Sequence, residues 1–203
     1  MKFSVYDLEK IVNSGLTTAV KSSKIVFDQL SVDLESKDIF RSILFLKTNE
    51  SCQFRQLIDI TAVDYPGQNY RFRLVYFLLS HQQNLRVIIN IKIKEDDEIP
   101  SIIKIYPSAN WMEREVFDMY GVKFKDHPDL RRILTDYNFE GFPLRKDFPM
   151  TGHTEVRYDE GKKKVVYEPV KLEQDYRNFD FESPWEGTEY IKEIRDSKNK
   201  EKK

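Results

Sequence analysis

Residues Gln56–Lys94 read QLIDITAVDYPGQNYRFRLVYFLLSHQQNLRVIINIKIK, and this stretch decides the fold. Its last part alternates: Leu85, Val87, Ile89, Ile91 and Ile93 fall on one side, and Arg86, Asn90, Lys92 and Lys94 mostly on the other. A period of two places successive side chains on opposite faces of an extended chain, so this is a half-buried antiparallel strand. Tyr70–Ser80 reads as a second strand, and His81–Asn84 is short enough to be the hairpin loop between the two. Gln56–Val63 reads as a third, closed by the turn residues Asp64-Tyr65-Pro66-Gly67.

Outward from this sheet the pattern changes period. Leu8, Ile11 and Val12 share one face of a short helix over Tyr6–Asn13, which Gly15 can stop. Lys24–Leu34 reads as one strand. Phe40, Ile43, Leu44 and Leu46 after Ser36 have helical spacing, and Ile99–Ile105 and Trp111–Tyr120 also read as helical. The order α-β-α-β-β-β-α-α predicts an α+β sandwich of about 125 residues, a mainly antiparallel sheet with helices packed on one face. The sheet domain is assigned to residues 1–122. Beyond it, hydrophobic periodicity fades while aromatics persist, from Tyr137 to Trp185, which a disordered linker would lack. Residues 123–190 are therefore expected to form an extended, aromatic-rich interaction segment and tail. Within it, Val156–Tyr158 and Lys164–Tyr167 can pair as a small hairpin with Gly161 in the left-handed position. Residues 191–203 are expected to be disordered.

Composition removes several function classes. Lys and Arg total 33 against 34 Asp and Glu, a net charge of −1 over 203 residues, unlike a basic nucleic-acid binder. The single cysteine, Cys52, excludes an internal disulfide and any cysteine-held zinc or iron–sulfur cluster. The N-terminus lacks the features of a secretory or transit peptide. No window approaches the roughly 18 apolar residues of a membrane span. Membrane association is expected only through a partner.

The densest run is Glu113–Pro149, EREVFDMYGVKFKDHPDLRRILTDYNFEGFPLRKDFP. Asn110 and Glu113 have the spacing of a capping box, and Gly121 suits the position after a helix end. Arg114 and Asp118 can pair four residues apart, and Glu115 and Asp118 share a face at three. Glu115, Asp118 and His127 are the residue types of a carboxylate–histidine metal site. The competing reading is a charged helix face answered by Arg114, Arg131 or Arg132. Paired carboxylates also permit acid–base catalysis, yet no nucleophile or histidine partner accompanies them. His127 precedes Pro128 and is expected to be a structural hydrogen-bonding residue. Between His127 and Pro149 the bases Arg131, Arg132, Arg145 and Lys146 meet the acids Asp129, Asp136, Glu140 and Asp147. That neutrality gives little phosphate attraction. Arginines among aromatics and carboxylates fit a protein interface instead. Gly121 and Gly141 belong to no nucleotide-binding pattern.

The same residues resemble the signature of a known family. Glu113-Arg114-Glu115, Asp118-Met119, His127, Arg131 and Ile133-Leu134, the continuation HPDLRRILTDYNFEGFPLRKDFP and the tail piece FDFESPW at 179–185 are similar to the 30-kDa subunit of NADH:ubiquinone oxidoreductase, respiratory complex I. Members of that family are also called subunit 9 when mitochondrially encoded, and the C subunit in bacteria. The resemblance runs from about residue 55 to 187. One departure is Asn138, where the family has glycine; asparagine tolerates the left-handed backbone next best. The resemblance implies a core, non-catalytic scaffolding subunit of the peripheral arm, beside the hydrogenase-large-subunit-like protein of the quinone pocket. It implies no cofactor on this chain, with FMN and iron–sulfur clusters on neighbours. It implies a subunit-interface role for Glu113, Arg114, Glu115, Asp118, His127, Arg131, Arg132, Arg145 and Asp147. The expected location is the matrix side of the mitochondrial inner membrane, or else the cytoplasmic side of a bacterial one. The alternatives are a metal-dependent enzyme using Glu115, Asp118 and His127, and the equivalent subunit of a related membrane-bound hydrogenase.

Overall fold

The computed structural model describes residues 3–174. The FDFESPW piece and the terminus 191–203 lie outside them. The chain divides into two compact units, Met1–Gly152 and a second that begins at His153.

The first unit is built on a sheet of five strands: β1 (Val20–Val26), β2 (Gln29–Leu34), β3 (Gln56–Asp64), β4 (Phe72–Ser80) and β5 (Leu85–Ile93). Their spatial order is β1-β2-β5-β4-β3. All neighbours are antiparallel except β2 and β5, which run parallel with Leu30 opposite Val87. The expected α+β class and the expected three-strand meander are both present. Asn90 is buried at the parallel seam, where its amide donates to Ser31 Oγ at 3.0 Å and so ties β5 to β2.

One face of this sheet is predominantly apolar. Phe72, Leu74, Tyr76 and Leu78 of β4 and Val87, Ile89, Ile91 and Ile93 of β5 alternate into the core. Helices α1 (Val5–Gly15), α2 (Ile39–Thr48) and α3 (Ala109–Tyr120) contribute Leu8, Val12, Ile39, Ile43, Leu46, Ala109 and Val116 to the same cluster. Each large aliphatic side chain among them, removed from water, contributes roughly 1.5–3 kcal/mol. Helix α1 begins with a capping box. Asp7 N donates to Ser4 Oγ at 3.3 Å, and Ser4 N donates back to Asp7 Oδ2 at 3.1 Å.

Several local expectations are corrected. Lys24–Leu34 is not one strand: the chain reverses at Phe27-Asp28, whose φ values of 50° and 57° make the left-handed pair that a tight hairpin turn requires. Ile99–Ile105 is not helical. It opens with the short strand β6 (Glu98–Pro100), parallel to β7 (Lys123–Lys125), and continues in turns. Helix α3 starts at Ala109, so Asn110 lies inside its first turn and forms no capping box with Glu113. Gly121 does end the helix in the left-handed conformation, φ 79°.

The second unit is a hairpin of β8 (Thr154–Asp159) and β9 (Lys164–Pro169), with Val156 opposite Tyr167 and Tyr158 opposite Val165. Its left-handed turn residue is Lys163, φ 49°, and not Gly161.

Candidate functional site

The Glu113–Pro149 run folds as one helix and one strap. Helix α3 presents carboxylates toward the protein, and residues 126–149 return across them with little regular structure. A strap without its own ladder must satisfy its backbone elsewhere. Here side-chain charges do that.

Asp118 is fully buried and organises the first crossing. Its Oδ2 accepts from the amides of Ile133 at 3.0 Å, Leu134 at 2.7 Å and Thr135 at 2.8 Å. Its Oδ1 accepts from Arg132 Nη1 at 2.7 Å and from the Thr135 hydroxyl. Burial alone would raise this carboxyl. The Thr135 hydroxyl and amide, Arg132 and the Ile133 amide outweigh burial and hold it well below the usual carboxylate range. Arg132 also donates to Gly141 O at 2.9 Å and lies 5.3 Å from the Phe142 ring centre. Arg114 does not pair with Asp118; its Nε and Nη2 donate to the carbonyls of Arg131 and Arg132, each at 3.1 Å.

A second charged knot fastens the later crossing. Arg71 holds Asp64 through two contacts of 2.9 and 3.2 Å, Glu95 at 3.0 Å and Asp147 at 2.7 Å. Arg145 pairs with Glu95 and donates from Nε to Tyr120 O at 2.6 Å, and its guanidinium lies 4.4 Å from the Phe142 ring centre. The amide of Lys146 donates to Asp64 Oδ2 at 2.8 Å. Gly121 is required where these parts meet. A Cβ there would stand 2.6 Å from Arg145 Nη2 and 2.7 Å from the Phe142 ring.

Glu113 turns to the other side of α3. It is buried, accepting from Ser101 Oγ at 2.7 Å and Ile102 N at 2.8 Å. Burial pushes its carboxyl up to about 7 against those two hydrogen bonds. The His127 side chain is likewise enclosed. Its Nδ1 accepts from Asp129 N at 3.0 Å, which leaves Nε2–H to donate to Asn110 O at 3.3 Å. Burial depresses its titration, and both ring nitrogens are taken by hydrogen bonds within the chain, as expected of a structural hydrogen-bonding residue.

Of the residues named from sequence, Glu113, Arg114, Asp118, His127, Arg132, Arg145 and Asp147 are thus engaged within the chain. Glu115 is exposed, and Arg131 pairs at the surface with Asp129 at 2.9 Å. The metal reading fails on geometry. Glu115 faces outward, Asp118 is filled by amides and Arg132, and His127 approaches Glu113 instead, at 3.9 Å. Among the described residues no three His, Cys, Asp or Glu groups come together as metal ligands. Cys52 is buried and its thiol is pushed up to about 11 by burial, which disfavours the reactive thiolate at neutral pH. Sequence reasoning missed Arg71, Asp64 and Glu95. They lie in or beside strands, and only the return of the strap brings them to Arg145 and Asp147.

These features define an α+β fold whose five-stranded sheet carries helices on one face and is crossed by a charge-fastened strap. A family model described as "Respiratory-chain NADH dehydrogenase, 30 Kd subunit" matches residues 32–154, and the chain belongs to that family. Among its relatives, the C subunit of the NADH-quinone oxidoreductase of Dinoroseobacter shibae is 62% identical, covering 94% of this chain and 89% of the relative. Its counterpart from Parvibaculum lavamentivorans is 53% identical, covering 94% of this chain and 96% of the relative. A chain of the membrane-bound sulfane sulfur reductase, an archaeal respiratory membrane complex, superposes with a TM-score of 0.62 at 26% identity. The match covers 79% of this chain and 98% of that one. The relatives named here are from bacteria and an archaeon, which favours the bacterial setting over the mitochondrial one. No helix among the described residues is long and apolar enough to cross a membrane.

Proposed function

We propose that this chain is the non-catalytic scaffolding subunit of the peripheral arm of a bacterial NADH-quinone oxidoreductase, holding neighbouring subunits beside the quinone-reducing module. Its relatives carry that enzyme's name, which disfavours the hydrogenase alternative. The observation that carries the scaffolding role is the β8–β9 hairpin. Val156, Tyr158, Val165 and Tyr167 share one face and are 54%, 60%, 52% and 61% exposed. Glu155, Arg157, Asp159, Lys164, Val166 and Glu168 take the other. A two-stranded hairpin is marginal by itself, and a continuous apolar face is a surface meant to be covered. The partner that fits is an apolar patch on a neighbouring subunit of the arm, the hydrogenase-large-subunit-like protein first. In this reading FMN and the iron–sulfur clusters reside on the neighbours, and the chain reaches the cytoplasmic face of the inner membrane only through them.

The test is a Tyr158→Ser, Val165→Ser double variant followed by native electrophoresis of the membrane complex. Loss of the assembled arm, with this protein still present and folded, is the expected result. A fully assembled complex that has lost quinone reductase activity would count against scaffolding.

A further inference from the structure

The β3–β4 turn and the adjoining ends of β4 and β5 enclose a recess of about 200 Å³, lined by Tyr65, Gln68, Tyr70, Arg73 and Lys92. It lies on the sheet face that the helices leave open. Arg73 and Lys92 are directly opposed across the β4–β5 pair. Like charges so placed repel, and a sheet holds them together only with a counter-charge nearby. The chain supplies one. Asp33 Oδ1 lies 3.2 Å from Arg73 Nη2, while its other oxygen accepts from Ser22 Oγ at 3.0 Å. That answers Arg73 and leaves Lys92 without a carboxylate among the described residues. Arg73 Nε is buried with no acceptor. The hydroxyls of Tyr65 and Tyr70 and the side-chain amide of Gln68 also make no hydrogen bond among the described residues. No carboxylate lines the recess.

The donors reach the recess from a turn and from two strands. A planar carboxylate is best met by a free guanidinium fork. Here the fork is half used by Asp33. The remaining groups are a point-charge ammonium and separate hydroxyl and amide donors, which suit an anion with oxygens directed several ways. We propose that this recess binds a phosphoryl group, as free phosphate or as the headgroup of a phospholipid. This binding does not depend on the scaffolding role.

The experiment is a titration of the full chain followed by amide NMR, with inorganic phosphate in one arm and phosphatidic acid vesicles in the other. Sodium chloride at matched ionic strength is the control. Shifts concentrated at Tyr65–Arg73 and Lys92 are expected. Response to phosphate identifies the soluble ion, and response to the vesicles alone identifies the lipid headgroup. Lys92→Gln, at an exposed position, should weaken binding roughly ten-fold by removing one charge-assisted contact. Tyr70→Phe should weaken it less. Equal shifts with chloride, shifts spread over all basic surfaces, or binding unchanged in Lys92→Gln would overturn the assignment.

Discussion

Two buried carboxylates of one helix behave oppositely. Asp118 is surrounded by donors and stays charged. Its folded affinity for protons lies below its unfolded one, so its contribution is present above the unfolded value near 3.8 and is lost as pH falls below it. Asp118→Asn should destabilise the chain by about 3–5 kcal/mol at neutral pH, because Arg132 loses its buried counter-charge and the one remaining oxygen can serve either the three strap amides or the Arg132 and Thr135 side chains, not both. Urea denaturation of both proteins at pH 7 measures it, and a change under about 1 kcal/mol would remove Asp118 as the organiser of the strap. Glu113 has two donors and deep burial, and its proton is held up to about 7. The unfolded chain releases that proton near 4.5, so this group favours folding below that value and its support declines as pH rises toward 7. His127, depressed by burial, acts in the opposite sense as pH falls below about 6.5. Glu113→Gln should therefore gain stability relative to the native chain across pH 4.5–7, by an amount on the order of 3 kcal/mol. Denaturation midpoints of the two proteins across that window isolate the group. A constant difference would show that Glu113 does not titrate there.

Among elements, the strands were legible because period-two alternation over Gln56–Lys94 is long and the buried face admits one register. The hairpin turn at Phe27-Asp28 was not legible. Asp28 is a turn-compatible residue, but phenylalanine is a poor candidate for the left-handed position before it, and the pair does not read as a hairpin turn. Ile99–Ile105 misled because a short apolar run reads the same in a strand, a turn or a helix. Glu113 misled because its spacing from Asn110 matched a capping box while tertiary partners, Ser101 and Ile102, claimed the carboxylate. The strap is the element whose charges were visible in the sequence but whose partners were not. Arg145 meets Glu95 and Tyr120 O only after the chain has doubled back over α3. Arg145→Ala should loosen residues 142–148 and reduce assembly of the arm more than it alters the turnover of complexes that do form. Native electrophoresis set against activity per assembled complex separates the two effects.

At the scale of the whole molecule, the parallel β2–β5 seam orders events in time. Leu30, Val32 and Leu34 pair only with β1, on one edge, until Val87, Ile89 and Ile91 exist to pair on the other. During synthesis the meander β3–β4–β5 can pair from neighbouring segments, whereas the N-terminal β1–β2 hairpin must wait for a partner made much later. Non-local pairing of this kind is slow, because loop closure precedes the contacts that reward it. A ribosome stalled before β5 therefore displays an apolar edge with nothing to cover it. For this chain, the interval between emergence of residue 34 and residue 93 leaves the β2 edge unpaired, a state open to aggregation and to chaperones.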